Sequence, residues 1–225
     1  MAKLLYEYWF VQFDFPDENG KPYKSSGGEM VYSPELKRQI PKGWEVKSLR
    51  NCIDLNYKRK KVSTKDNLID LSVMPKNSFI LNQVNSNSTA KTNLYELSQY
   101  DILFGSIRPY LKKAGFSVFN GTVIGTIHQF KSKKDLFNFL LCTLTTNTFL
   151  KYAVDNCEGT KMPIIKEQKI LNFQIPFNKD IINYFEHIFS FKEIIANNII
   201  QNQKLASLRD WLLPILYVNE RTGYF

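Results

Sequence analysis

The sequence predicts an α+β protein: a mixed α/β domain followed by a long C-terminal helix with coiled-coil spacing. Three observations carry this expectation. Short apolar or alternating runs separated by turn residues fill the chain from Trp44 to about Phe130. The spacing then turns helical between Lys134 and Ala153. After Pro176 the chain holds one extended apolar stripe free of glycine.

Residues 3–13 suit a helix, with Leu, aromatic and charged residues and no Gly or Pro, stopped by Pro16 and the turn chemistry of Asp17, Glu18, Asn19 and Gly20. So short a helix needs a partner. Residues 16–30 read as a loop, and Ser33-Pro34-Glu35-Leu36 as a cap opening one helical turn. The strand candidates are Trp44 to Leu49, Ile69 to Met74, Ser78 to Val84, Asp101 to Ile107, Gly115 to Phe119, Thr122 to Phe130, and a last one at Phe173 to Pro176. Thr145 to Thr148 break the helical stretch. Asn178 is positioned to cap a helix running roughly from Lys179 to Leu213.

That helix carries heptads. Ile181, Ile188, Ile195 and Asn202 form one series; Tyr184, Phe191, Asn198, Leu205 and Leu212 form the other, offset by three. Such a seam fits a dimer or partner helix, with the two asparagines setting register. Phe185, Phe189 and Ile199 widen the apolar face, which also fits packing on the chain's own domain. A helix of that length, about 50 Å, outreaches such a domain.

Charge divides the chain more sharply than composition does. The formal net charge of +9 separates into −1 for residues 1–40, +10 for 41–176 and 0 for 177–225. Localised excess of one sign is what a module facing a polyanion needs. No apolar run is long enough for a membrane span, and no secretory leader opens the sequence, so the expected location is cytoplasmic. Cys52, Cys142 and Cys157 lack metal-binding spacing and read as ordinary thiols. His128 and His187 read as local polar residues. Nucleophile-elbow, zinc-protease, phosphate-loop and dinucleotide motifs are missing, as are a methyltransferase's cofactor loop and Asn/Asp-Pro-Pro-aromatic tetrapeptide. The acids of the middle segment are scattered rather than clustered. The reading is a binding protein without catalysis or a cofactor of its own. A divergent nuclease and a coiled-coil scaffold that never touches DNA are the alternatives.

Three basic features are candidates for DNA contact. Tyr57 leads into Lys58, Arg59, Lys60 and Lys61, suited to phosphates. The run Phe104 to Lys113 presents Arg108, Lys112 and Lys113 beside Tyr110, and Arg108 is the candidate reader of guanine. Glu158-Gly159-Thr160-Lys161-Met162-Pro163 offers Lys161 and loop amides. The Asn/Ser/Thr-rich stretch from Asn82 to Asn93, with Lys91, is either an adenine reader or a mobile loop.

The stretches LYEYWFVQFDFPDENGKPYKSSGG, ELKRQIPKGWEVKSL, DILFGSIRPYLKK, EGTKMP and QNQKLASLRDWLLPIL resemble the specificity subunit of type I restriction-modification enzymes, over nearly the whole chain. The resemblance implies target-recognition domains that each read half of a split site in double-stranded DNA, and conserved helices that pair antiparallel. It also implies modification subunits that bring S-adenosylmethionine and restriction subunits that use ATP. A full subunit has two recognition domains. This chain has one, which makes it similar to the second half of such a subunit: residues 1–40 as the end of the central spacer helix and connector, 41–176 as the recognition domain, 177–225 as the spacer helix. The resemblance then implies a homodimer, or a half that completes another half, and such half genes also occur as recombination cassettes. On that view the aromatic N-terminus packs against the helix around Leu205 to Leu213, from the same chain or its mate.

Overall fold

The computed structural model describes residues 1–63, 66–81, 83–85, 92–189 and 192–222, with side chains to Pro214. It divides into a compact unit, residues 1–190, and a second unit, residues 191–225. The compact unit takes in both the N-terminal segment and the first helix after Pro176, so its limits differ from the breaks that composition suggests at residues 40 and 176.

Helix α1, Ala2–Tyr6, widens into a π-helical turn, Glu7–Val11. The turn ends at Phe13, whose backbone is left-handed at φ 68°. Tyr6, Trp9 and Phe10 are buried, while Leu4 is 68% exposed. Two carbonyls left open at the end of the turn are met by Arg38, whose Nη2 and Nη1 donate to Phe10 O at 3.2 Å and Val11 O at 3.4 Å. The same guanidinium lies 4.6 Å from the centre of the Phe13 ring. The aromatic rings pack within the compact unit itself: Phe10 on Phe139, Phe185 and Trp44, and Trp9 on Tyr184. Trp9 and Phe10 thus find partners within the compact unit, whereas Leu4 and Tyr8 stay exposed. The π-turn places Trp9 and Phe10 beside Tyr6, so the apolar face is broad enough to seat on the domain.

Strands β1, Met30–Ser33, and β2, Arg38–Pro41, form a hairpin where the sequence suggested a helical turn. Ser33 Oγ accepts from Leu36 N at 3.2 Å and donates to Glu35 at 2.9 Å, so the expected cap chemistry closes a β-turn instead. Strand β3, Glu45–Ser48, follows.

Two four-stranded sheets form the middle of the unit. The first has β4 (Lys61–Val62), β7 (Leu94–Leu97), β10 (Gly121–Ile124) and β5 (Leu68–Ile69) side by side in that order. The second has β11 (Ile127–Phe130), β8 (Ile102–Gly105), β9 (Ala114–Ser117) and β6 (Ile80–Leu81). The run from Thr122 to Phe130, expected as one strand, is thus two strands in different sheets, divided at Gly125 and Thr126. Leu68, Ile69, Leu81, Leu94, Leu103, Val123 and Ile127 draw one buried cluster from both sheets. A side chain at Gly115 would come 2.5 Å from the Phe79 carbonyl, so glycine there lets β6 lie close beside β9.

Helices α2, Phe137–Thr143, and α3, Asn147–Asp155, part at the expected threonines, where Thr146 Oγ1 accepts from Phe149 N at 3.1 Å. After α4, Glu167–Leu171, strand β12, Gln174–Phe177, pairs antiparallel with β3. Asn178 caps α5, Lys179–Ile188, accepting from Asp180 N and Ile181 N. Glu186 on α5 in turn accepts from Phe139 N at 2.7 Å and Asn138 Nδ2 at 2.8 Å, which ties α5 to the start of α2.

The long helix is divided. α5 ends at Ile188, and α6 runs from Lys192 to Thr222. α5 buries Ile182 and Phe185 on its own domain, while Ile181 and Ile188 of the heptad series stay half-buried. The wider face named above decides its packing. On α6, Ile195 is half-buried, and Asn198, Asn202, Leu205 and Leu212 are exposed. Phe191 lies outside the described residues.

Phe10→Ala is expected to cost about 3–5 kcal/mol in urea unfolding, as for a fully buried aromatic ring. Leu4→Ala should stay within about 0.5 kcal/mol; similar losses at both positions would contradict the observed packing.

Candidate nucleic-acid interface

Two of the three basic features are joined by main-chain bonds. Strand β8 runs out through Ser106 and Ile107 into a 3-10 turn, Pro109–Leu111, bracketed by two left-handed residues, Arg108 (φ 51°, ψ 64°) and Lys112 (φ 54°, ψ 44°). Each costs on the order of 1–2 kcal/mol for a residue with a side chain. The loop after α3 closes on itself, Glu158 and Ile164 exchanging N–H···O bonds of 2.9 Å in both directions. Gly159 turns that loop at φ 86°, where a side chain would press on the Met162 carbonyl. Arg108 N donates to Pro163 O at 2.8 Å, Ile165 N donates to Ser106 O at 3.0 Å, and Ile107 bridges to Ile164. The β8 turn and the Glu158–Ile164 loop therefore form one composite surface.

Its side chains differ in availability. Arg108 and Lys161 are exposed and have no hydrogen-bond or ion-pair partner among the described residues. Lys112 Nζ reaches Asn147 Oδ1 at 3.4 Å. Lys113 is half-buried, its ammonium donating to the Leu71 carbonyl, and desolvation pushes its pKa down. Tyr110 and Met162 stand out 52% and 50% exposed.

The stretch from Lys58 to Lys61 splits by role. Lys58 and Lys61 are exposed without partners among the described residues, and Lys60 pairs with Glu96 at 3.2 Å. Arg59 points inward. Its Nε donates to Gln129 Oε1 at 3.2 Å, and its guanidinium lies 3.8 Å from the centre of the Tyr95 ring. Burial lowers its pKa, yet a guanidinium stays charged. The amide of Gln129 also reaches Glu96 O, Asp101 Oδ2 and Tyr57 Oη at 2.6–2.8 Å. Asp101 is fully buried, and desolvation raises its pKa. The hydrogen bonds from Gln129, Ser98 N and Tyr57 favour the carboxylate, but burial outweighs them, so the contribution of Asp101 weakens as pH rises above the ordinary carboxylate range. Beside this network, His128 Nε2 lies 2.8 Å from Ile165 O, at the base of the composite surface. Burial pushes His128 down, leaving a neutral ring that donates to the carbonyl. Charging the ring therefore costs more in the fold than in the unfolded chain, and stability falls as pH drops through the ordinary histidine range.

Lys91 lies outside the described residues, as does most of the Asn/Ser/Thr-rich stretch. Among the described residues no group of three His, Cys, Asp or Glu could hold a metal ion, and no helix is long and apolar enough to cross a membrane. The three thiols are unpaired; burial pushes Cys52 up to about 12, out of the reactive range. Sequence reasoning missed that Arg59 is internal and that the two loops share a backbone. The first leaves no local signal, because the partner of Arg59, Gln129, lies seventy residues on. The second pairing spans more than fifty residues and leaves none.

The compact unit offers exposed cations without partners among the described residues on loops tied by main-chain bonds, and α6 bears exposed Leu205, Leu208, Trp211 and Leu212. No family model matches the chain. It is 27% identical over 240 residues to the type I restriction enzyme MjaIX specificity subunit of Methanocaldococcus jannaschii, an alignment covering 98% of this chain and 52% of the relative. It is 26% identical over 127 residues to the EcoDI specificity subunit of Escherichia coli, covering 54% of this chain and 28% of that one. Its fold is similar to the HsdS subunit from Thermoanaerobacter tengcongensis, at TM-score 0.50 and 13% identity over 81% of this chain and 48% of that one. It is similar too, at TM-score 0.51 and 14% identity, to a chain solved in work on assembly and conformational transition of the type I R-M system, covering 80% of this chain and 47% of that one. The chain is thus similar to type I specificity subunits and spans about half the length of the curated MjaIX subunit it matches.

Arg59→Ala is expected to lower unfolding free energy by about 1–3 kcal/mol, as for a half-buried charged hydrogen-bond donor. Lys58→Ala should move it by no more than about 0.5 kcal/mol. Equal effects in thermal or urea unfolding would place both on the surface.

Proposed function

We propose that this chain is a half specificity subunit of a type I restriction-modification system, binding one half of a split site in double-stranded DNA and catalysing nothing itself. The observation that carries it is the composite surface of the β8 turn and the Glu158–Ile164 loop, where the side chains of Arg108 and Lys161 are exposed and without partners among the described residues. Arg108 is the base reader, since a guanidinium matches the two acceptors of guanine in the major groove. Lys58, Lys61, Lys112 and Lys161 serve phosphates; Lys60 does so by exchanging Glu96 for one. Arg59 and Lys113 hold the loops from within.

The exposed leucines of α6 fit a partner helix, from a second copy or from another half subunit, and a docking surface for modification subunits. Those subunits bind S-adenosylmethionine and methylate adenine, and restriction subunits use ATP; both cofactors stay on the partners. Location in the cytoplasm follows from that role.

The test is duplex selection from a random pool with the full chain, followed by titration. Arg108→Ala should lose about 10- to 100-fold on the selected target and little on random duplex. Lys161→Ala should weaken both alike and reduce the salt slope by about one. Equal losses for Arg108→Ala on both duplexes would end its role as reader, and nicking of plasmid by the chain alone with divalent metal would make it a nuclease. A palindromic split motif together with a dimer in light scattering supports pairing of two copies.

A further inference from the structure

We propose that Tyr110 and Met162 form an apolar tip that reads thymine 5-methyl groups in the major groove, beside the guanine contact of Arg108. This rests on the DNA-recognition reading and names what the same surface distinguishes. Tyr110 is the middle residue of the 3-10 turn, and the antiparallel run through Ile107–Ile164 and Arg108–Pro163 leads Met162 to the side of that turn. Both side chains are about half exposed, at 52% and 50%, on loops rather than on the helix that carries the other exposed leucines.

Main-chain bonds fix the turn that carries Tyr110 and tie it to the loop that carries Met162. Leu111 N donates to Arg108 O and Lys112 N to Pro109 O, both at 2.9 Å, while Asn77 N donates to Lys112 O from a neighbouring loop. Two left-handed residues maintain this shape at a cost that an ordinary surface turn avoids. Cations flank the tip: Arg108 and Lys161 without internal partners, and Lys112 tethered to Asn147. Exposed apolar side chains on loops that also carry exposed cations fit a polyanion with apolar features at its recognition edge. In duplex DNA that feature is the thymine methyl, which only the major groove displays, on the same edge where Arg108 meets guanine.

The experiment uses the full chain and its selected duplex, with each thymine replaced in turn by uracil, which removes the methyl and leaves base pairing intact. Affinity is expected to fall about fourfold, the worth of burying one methyl group, at one or two positions beside the base pair where Arg108→Ala relaxes the preference. Tyr110→Ala and Met162→Ala should lose the difference between thymine and uracil while binding random duplex as before, and Tyr110→Phe should keep it. Equal binding of thymine and uracil at every position, or a difference that survives both alanine variants, overturns the proposal and leaves DNA recognition standing. Failure to bind any duplex at low salt overturns the DNA reading and the tip with it.

Discussion

Phe10 meets Phe139 and Phe185 edge to face, at centroid distances of 5.0 and 5.4 Å, and this contact gathers three stretches of chain that are remote in sequence. The N-terminal π-turn, α2 and α5 each contribute one ring. Edge-to-face pairs add about 0.5–1.5 kcal/mol each beyond the area they bury. The polar groups around them are satisfied: Arg38 closes the π-turn, Glu186 caps α2, and the hydroxyls of Tyr6 and Thr143 lie 2.8 Å apart. Both sides of the clamp are thus held by packing and by hydrogen bonds at once, which leaves the sheets free to end in irregular loops.

Those loops are organised by a second constraint. β8 is buried along all four residues between β11 and β9, so its C-terminal end is anchored in the second sheet. The Glu158–Ile164 loop hangs on that end through Ser106 and Arg108, and His128 on the adjoining β11 holds Ile165. Arg108 is strained in its backbone and unpaired in its side chain. Such a residue, held on the end of a buried strand, has its backbone fixed before its side chain meets anything.

Much of this was legible in the sequence, for reasons that can be named. Unbroken apolar runs marked β8 and β9, threonines marked the break between α2 and α3, and Asn178 marked the start of α5, because each is a local chemical signal. Arg108 and Lys161 stood out as cations beside turn residues. The failures are tertiary. Gly125 and Thr126 look like part of one strand until the two sheets separate on either side of them, and Ser33 offers the same hydroxyl to a helix cap or a hairpin. The heptads through α5 were real spacing, but Ile182 and Phe185 had a domain to pack on, and burial outweighed the narrower stripe. Arg59 read as one of four equal cations because nothing local announces Gln129, seventy residues on.

The aromatic clamp also settles how the compact unit is wired. Trp9 stacks on Tyr184 and Tyr6 faces Phe185, so the chain comes into the unit and departs from it at one place. The Arg108 turn and the Glu158–Ile164 loop are built elsewhere, on the ends of β8 and α3. With its two ends held by one clamp, the unit carries these loops on a frame that does not depend on their side chains, so substitutions there leave the aromatic core as it is.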